Sequence, residues 1–390
     1  MSKRKHWLMI ISSIVMMMLM GTVYAYSIFR TPIESTYEIG TFLSGIPYMI
    51  SLLFYALSMM VTGRIIKPHL LRRIVMIGTL CIALGWFVSG ITQSFFVFSL
   101  AYGVLIGIGV GMVYGIPIYM TQKLFPNRSG MMTGIILLGF GMSPLVTAPL
   151  AKILIDLTNL RTSFLILGSI FVFIQFPLSF VFIINEYHDF KAMVPDTKKH
   201  EKLKPFKRIY LLFVIATTIG LMMIGLSYQI GVSLYDFDAL DVTISLSIFA
   251  VLNGIARPIF GRLMDKKGFK FSAFTSLGLI VFASILGLVN QGTHLILFMI
   301  SFGLFWFNLG AWLAIVPATI KELYGINQYA KKYGVMFTAY GIGSVIGTVI
   351  SGFMMDLLGW TTYLYLMILV LVSVSVFVLI KTKTVFNQIQ

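Results

Sequence analysis

The chain is 390 residues long, 58% hydrophobic and only 11% charged, where a soluble domain carries about 25% charged residues. So few polar groups cannot cover a water-soluble surface, which excludes a soluble multidomain enzyme. A net charge of +16 would suggest a nucleic-acid partner for a soluble chain. Here the bases gather between apolar runs, where they set membrane orientation and meet anionic lipid, so the expected partner is the bilayer and not nucleic acid.

The apolar residues form runs of about 20, the length that crosses a ~30 Å hydrocarbon core at ~1.5 Å per residue. The first, 7–29, follows Lys3-Arg4-Lys5 and is too long for a cleavable signal segment, whose apolar part spans about 7–15 residues. It reads as a retained helix. Further spans are predicted over 42–62, 74–92, 95–120, 130–151 and 162–184. A polar stretch rich in lysine follows, and then spans over 209–234, 241–261, 271–290, 294–319, 333–355 and 360–380. The expected fold is an all-α integral membrane protein of twelve transmembrane helices in two six-helix bundles, 1–184 and 209–390, joined by a cytoplasmic loop over 185–208. The single cysteine, Cys81, lies inside an apolar run and reads as a small buried hydrophobe.

Orientation follows from Lys and Arg. With the N-terminus inside and helices alternating, 25 of the 29 bases fall on inner segments. Only Arg30, Lys152 and Arg161 fall on outer loops, and Arg257 lies within a span. That asymmetry is self-consistent only for an even number of spans, so both termini are expected in the cytoplasm of a cell-membrane protein.

The halves repeat. Gly63-Arg64 after the second span returns as Gly261-Arg262 after the eighth. Ile116-Pro117 returns as Val316-Pro317, and Gly139-Phe140-Gly141 as Gly341-Ile342-Gly343, all displaced by 198 to 202 residues. Transporters are commonly built from such repeats, with the substrate site near mid-membrane at the repeat interface. Within the fourth span, Gly103, Gly107, Gly111 and Gly115 make a small-residue stripe suited to close helix packing.

Arg257 stands apart from the other charges because no loop lies beside it in the sequence. Placing it in hydrocarbon costs roughly 2.5–3.5 kcal/mol, so it is expected to face a cavity or a partner. Snorkelling to the edge near Gly261, or binding carbonyls freed by Pro258, is the structural alternative. No acid inside a span is available to neutralise it: Glu34, Glu38, Asp156, Asp236, Asp238, Asp241 and Asp356 all lie toward outer ends. An unpaired guanidinium attracts an anion and matches a carboxylate bidentately. Asn253, one turn earlier on the same face, shares the work. A buried carboxylate proton relay is not expected, and no metal, cofactor, phosphate-loop or nucleophile pattern is present.

The loop Gly261-Arg262-Leu263-Met264-Asp265 followed by clustered bases resembles the cytoplasmic loop of the major facilitator superfamily. The resemblance implies a conformational latch in which Asp265 and nearby arginines pair in one state and part in the other. In the first half Gly63 and Arg64 recur, but Lys67 stands where the acid is expected. Gly21-Thr22-Val23-Tyr24-Ala25-Tyr26 in the first span resembles the oxalate/formate antiporter family, relatives of the monocarboxylate transporters. So do Phe125-Pro126-Asn127-Arg128-Ser129-Gly130 and Asn253-Gly254-Ile255-Ala256-Arg257-Pro258. This likeness implies that Arg257 binds the substrate carboxylate. In dicarboxylate-exchanging members helix 11 supplies a second cation as lysine; Tyr340 stands in that place here.

These features predict a secondary transporter of a small monocarboxylate such as lactate, pyruvate or formate, by proton symport or anion exchange, working as a monomer. Tyr24, Tyr114, Trp306 and Asn308 are the further candidates for lining the site, although most aromatics in such a chain simply pack. A drug/proton antiporter of the same superfamily and an oxalate/formate exchanger are the alternatives. The antiporter is weakened by Ser143 replacing a glycine of its fifth-helix motif and by a buried cation that would repel cationic drugs. A sensor that binds without transporting would be expected to carry a large soluble domain.

Overall fold

A computed structural model describes residues 3–125, 128–182, 205–357 and 361–382. Among them the first half comprises six spanning helices. α1 runs over Lys3–Met20 and continues through a 3-10 turn, Gly21–Ala25, into Ser27–Tyr37. α2 is Thr41–Ile65 and α3 is Leu71–Ile91. α4 joins Phe95–Leu100, a π-helical stretch Ala101–Ile106 and Gly107–Leu124. α5 is Ser129–Leu157, and α6 starts as Leu160–Ile170 and ends in a 3-10 turn at Ser179–Phe182. In the second half α7 is Phe206–Gln229, extended by a π-helical stretch, and α12 is Thr361–Lys381.

Two helices are continuous over far more than a membrane: Ala239–Asn290 and Leu295–Leu357. At ~1.5 Å per residue the shorter would extend about 78 Å, against a ~30 Å core. Each is broken once by a glycine in the left-handed region, Gly268 at φ 73° and Gly325 at φ 68°. A side chain at either position would be strained, and the chain reverses there. The pairs are therefore α8 (239–267) with α9 (269–290), and α10 (295–324) with α11 (326–357). The described helices make twelve spans, as the sequence predicts. The predicted boundaries need two corrections. Arg30 and Glu34 lie within the last turns of α1 rather than in a loop. The supposed loop 262–267 is the helical end of α8, because Arg, Leu, Met and Lys are all good helix formers and nothing before Gly268 stops them. The central loop lies outside the described residues over 185–204.

Sidedness of α3 shows the solvent this fold meets. Ile77, Leu80 and Leu84 project outward at helical spacing, while Ile74, Ile82 and Trp86 are buried. Both faces are apolar, as required of a helix between protein and lipid. The glycine stripe of α4 packs on α2, where Gly107 meets Ser51 and Phe54. The halves meet along two crossings, α5 on α8 and α2 on α11. In the first, the carbonyl of Arg257 lies so near Gly134 that any Cβ there would collide with it. In the second, a Cβ on Gly334 would stand 2.8 Å from the carbonyl of Met59.

Candidate functional site

Arg257 projects from α8 into the crossing with α5 and is wholly buried. One terminal nitrogen donates to the carbonyl of Leu137 at 2.8 Å and the other to Oδ1 of Asn253 at 3.0 Å. The ring of Phe140 lies 5.5 Å below the guanidinium carbon. Nε is buried and donates to nothing. Among the described residues Arg257 has no carboxylate partner. A buried charge with a spare donor is costly unless something fills it.

Asn253 is fixed in turn, because its Nδ2 donates to the carbonyl of Trp306 on α10 at 2.7 Å. That orients Oδ1 toward Arg257 and locks the side of the guanidinium away from the centre. The indole N–H of Trp306 donates to Oγ of Ser227 on α7 at 2.9 Å. These bonds tie α7, α8 and α10 around one cation.

Tyr24 sits where α1 loosens into its 3-10 turn, next to Gly21, which lets α1 approach the backbone of Phe140 on α5. Its ring meets Phe140 edge-on at 5.0 Å, and its hydroxyl lies within electrostatic reach of Arg257. The Tyr24 and Tyr340 hydroxyls are hydrogen-bonded at 2.7 Å. Tyr340 stacks on Phe337 at 4.9 Å. Tyr114 packs against Tyr55 at 5.2 Å and Phe140 at 5.3 Å. The candidates Arg257, Asn253, Trp306, Tyr24, Tyr340 and Tyr114 thus converge from five helices, α1, α4, α8, α10 and α11. Asn308 does not join them: Ser276 of α9 donates to its Oδ1 at 2.7 Å, and its Nδ2 returns to Leu304.

Sequence reasoning missed Tyr55, Phe140 and Phe337, the rings that complete this aromatic shell. Tyr55 carried a usable signal, since it lies 198 residues before Asn253, the repeat offset.

A cavity of about 250 Å³ opens between the halves above this cluster, with Tyr24, Trp306, Tyr48 and Gln229 in its walls and Arg30 and Phe42 near its mouth. The mouth lies on the predicted outer face. Arg257 is outside the cavity wall, beneath Tyr24. At the opposite face the gap beside Tyr329 and Tyr333 is only about 10 Å³, about one water.

Asp265 seals that face in an unexpected manner. Its carboxylate accepts from the backbone N–H of Gly130 at 3.0 Å and of Met131 at 2.8 Å, the first turn of α5. Carboxylates favour such free amides at the positive end of a helix. Lys321 supports the contact by donating to Oγ of Ser129 at 2.7 Å. Arg262 and Arg64, expected as latch partners, are exposed and take no part in it. Gly261 packs on Gly130, and Gly63 packs on Ala330 at the equivalent crossing.

Two helix bundles around a one-sided cavity, closed at the far end by contacts between the halves, are the plan of a membrane transporter. The family model of the Major Facilitator Superfamily matches residues 8–317 and 211–387, and the chain belongs to that superfamily. It is 23% identical over 354 residues to the uncharacterized MFS-type transporter YhjX of Escherichia coli (strain K12), covering 88% of this chain and 87% of the other. It is 24% identical over 362 residues to the oxalate:formate antiporter of Oxalobacter formigenes, covering 91% and 86%. In structure it resembles the proton:xylose symporter XylE, with a TM-score of 0.76, 12% identity, and 97% and 95% of the two chains covered.

Proposed function

We propose that this transporter moves a small monocarboxylate, of the size of formate, lactate or pyruvate, across the cell membrane by alternating access. The observation that carries the reading is Arg257: buried, without an acidic partner among the described residues, with Nε unengaged and the Tyr24 hydroxyl within electrostatic reach. A carboxylate reaching it would neutralise the charge and accept from the free donor and from Tyr24. The relation to an oxalate:formate antiporter supports the same class of cargo. Tyr340 contributes a hydroxyl instead of a second charge, which favours one carboxylate over two. Exchange of one acid for another, or entry of the acid with a proton, both suit a site with no buried carboxylate relay. The mouth beside Arg30 is the outer one on the Lys and Arg count, both termini are cytoplasmic, and 185–208 joins the halves 1–184 and 209–390.

The test is thermal stabilisation of purified protein by formate, acetate, lactate, pyruvate and oxalate, followed by uptake of the labelled acids into proteoliposomes. A monocarboxylate that stabilises the wild type but not Arg257→Ala, and is transported, supports the reading. Transport of oxalate with none of the monocarboxylates would overturn it. A drug exporter is disfavoured by the same cation, and export of a cationic dye retained in Arg257→Glu would favour it instead.

A further inference from the structure

Two tyrosines of α11 bury hydroxyls for which the packing supplies no partner. Tyr329 and Tyr333 are each 1% exposed, and neither hydroxyl makes a hydrogen bond. That of Tyr333 comes near Tyr114 without closing a bond to it, and lies within electrostatic reach of Arg257. Unpaired hydroxyls at such depth are uncommon, because burying one without a partner is costly. Packing accounts for the rings and not for the oxygens. The two rings stack at 5.3 Å, and Tyr333 meets Phe337 edge-on at 5.7 Å, contacts that phenylalanine would make equally well.

Both tyrosines line the gap of about 10 Å³ at the predicted cytoplasmic face, opposite Met59, Thr62 and Gly63 of α2. This gap lies between the halves, as the outer cavity does. One face of α11 carries Tyr329, Tyr333, Phe337 and Tyr340 at helical spacing. Tyr340 is bonded to Tyr24, which stands in the wall of the outer cavity. The stripe therefore leads from the aromatic shell to the gap. Gly63 against Ala330 and Gly334 against Met59 hold the gap shut.

We infer that the Tyr329 and Tyr333 hydroxyls receive the carboxylate as it leaves Arg257 toward the cytoplasm, donating to it while the gap is open. The inference rests on the monocarboxylate reading. Hydroxyls suit release better than a cation would, because each offers one donor to the anion without the pull of a full charge. A shut gap has room for about one water, so these donors meet the anion only after the halves part. Arg257 remains the binding charge, and the two hydroxyls act after it.

Uptake of labelled monocarboxylates into membrane vesicles of both orientations tests the inference, since inside-out vesicles present the cytoplasmic face to the label. Tyr329→Phe and Tyr333→Phe keep the stacked rings and remove only the hydroxyls. Each is expected to raise KM about tenfold in inside-out vesicles, for one lost hydrogen bond to a charged group, and by less than about twofold in right-side-out vesicles. If the tyrosines only pack, KM stays as in the wild type in both orientations and the inference fails. It fails too if KM rises equally in both, which would put the hydroxyls in the central site, or rises in right-side-out vesicles alone. A wild type that transports none of formate, lactate and pyruvate in either orientation refutes the function proposed above and is read before the variants.

Discussion

Arg257 and Met59 hold the same position in the two halves of the protein. The carbonyl of Arg257 faces Gly134 across the α5–α8 crossing, and the carbonyl of Met59 faces Gly334 across the α2–α11 crossing. The two residues are 198 apart and the two glycines 200, the period of the internal repeat. Duplicated scaffolding therefore carries an unduplicated charge. One bundle carries a guanidinium at this position and the other a thioether, so under the monocarboxylate reading a bound anion would be held from one side.

Replacing that guanidinium tests the site directly. Arg257→Ala removes the charge and the one unengaged donor, Nε, a charged hydrogen bond being worth about 1.5–3 kcal/mol, so carboxylate affinity is expected to fall about 10- to 150-fold. Arg257→Lys keeps the charge but cannot hold Leu137 and Asn253 together with a substrate, and should fall between alanine and wild type. Titration calorimetry on the purified protein checks the order, and equal affinity in all three proteins would remove Arg257 from the site.

On the monocarboxylate reading, Tyr340 would set the number of charges the site accepts. Tyr340→Lys would place a second cation beside Tyr24, within the shell around Arg257. Preference is expected to move from monocarboxylates toward oxalate, by about tenfold in the ratio of affinities if one charged hydrogen bond is gained. Competition of unlabelled oxalate against a labelled monocarboxylate reads that ratio. Tyr340→Phe, which removes only one neutral hydrogen bond, should change affinity by a few-fold at most.

The twelve-helix plan and the charged member of the candidate site were legible in the sequence because both depend on local quantities: run length, Lys and Arg counts, and one charge in an apolar span. The pairing of Asn253 with Arg257 followed from their i,i+4 spacing, which places them on one helix face. The same rule explains why Asn308 faces α9. It stands two positions from Trp306, so both cannot point to the centre. The aromatic shell was hidden for a different reason. Phe140 and Phe337 are chemically indistinguishable from the packing aromatics of any lipid-facing helix, and only the crossings of α5 and α11 select them, whereas Tyr55 was marked only by its repeat offset from Asn253. The partner of Asp265 was hidden because backbone amides leave no mark in a sequence.

Asp265 should control how long the predicted cytoplasmic face stays shut. Asp265→Asn keeps one acceptor for the amides of Gly130 and Met131 but loses the charge that complements the start of α5. A charge at a helix terminus contributes about 0.3–1 kcal/mol when exposed, as this one is. The open population at that face should rise about two- to fivefold. Spin labels at the exposed positions Lys67 and Lys331, on α2 and α11 sides of the same face, would report a larger share of long distances. An unchanged distribution would make the contact incidental to closure.

The paired crossings allow conformation and binding to be separated. Gly134→Leu forces a side chain against the backbone of Arg257, which cannot rotate away, so it should both pry α5 from α8 and displace the guanidinium. Gly334→Leu applies the same wedge against Met59, at a crossing without a buried charge among the described residues. Overpacking of this kind costs about 1–3 kcal/mol, enough to shift a two-state equilibrium about 5- to 150-fold. Gly334→Leu is therefore expected to open the predicted cytoplasmic face in the labelled protein while retaining carboxylate-induced thermal stabilisation. Gly134→Leu should open it and lose the stabilisation. If Gly334→Leu also abolished the ligand response, the two crossings would not be independent, and the assignment of binding to the α5–α8 side alone would have to be given up.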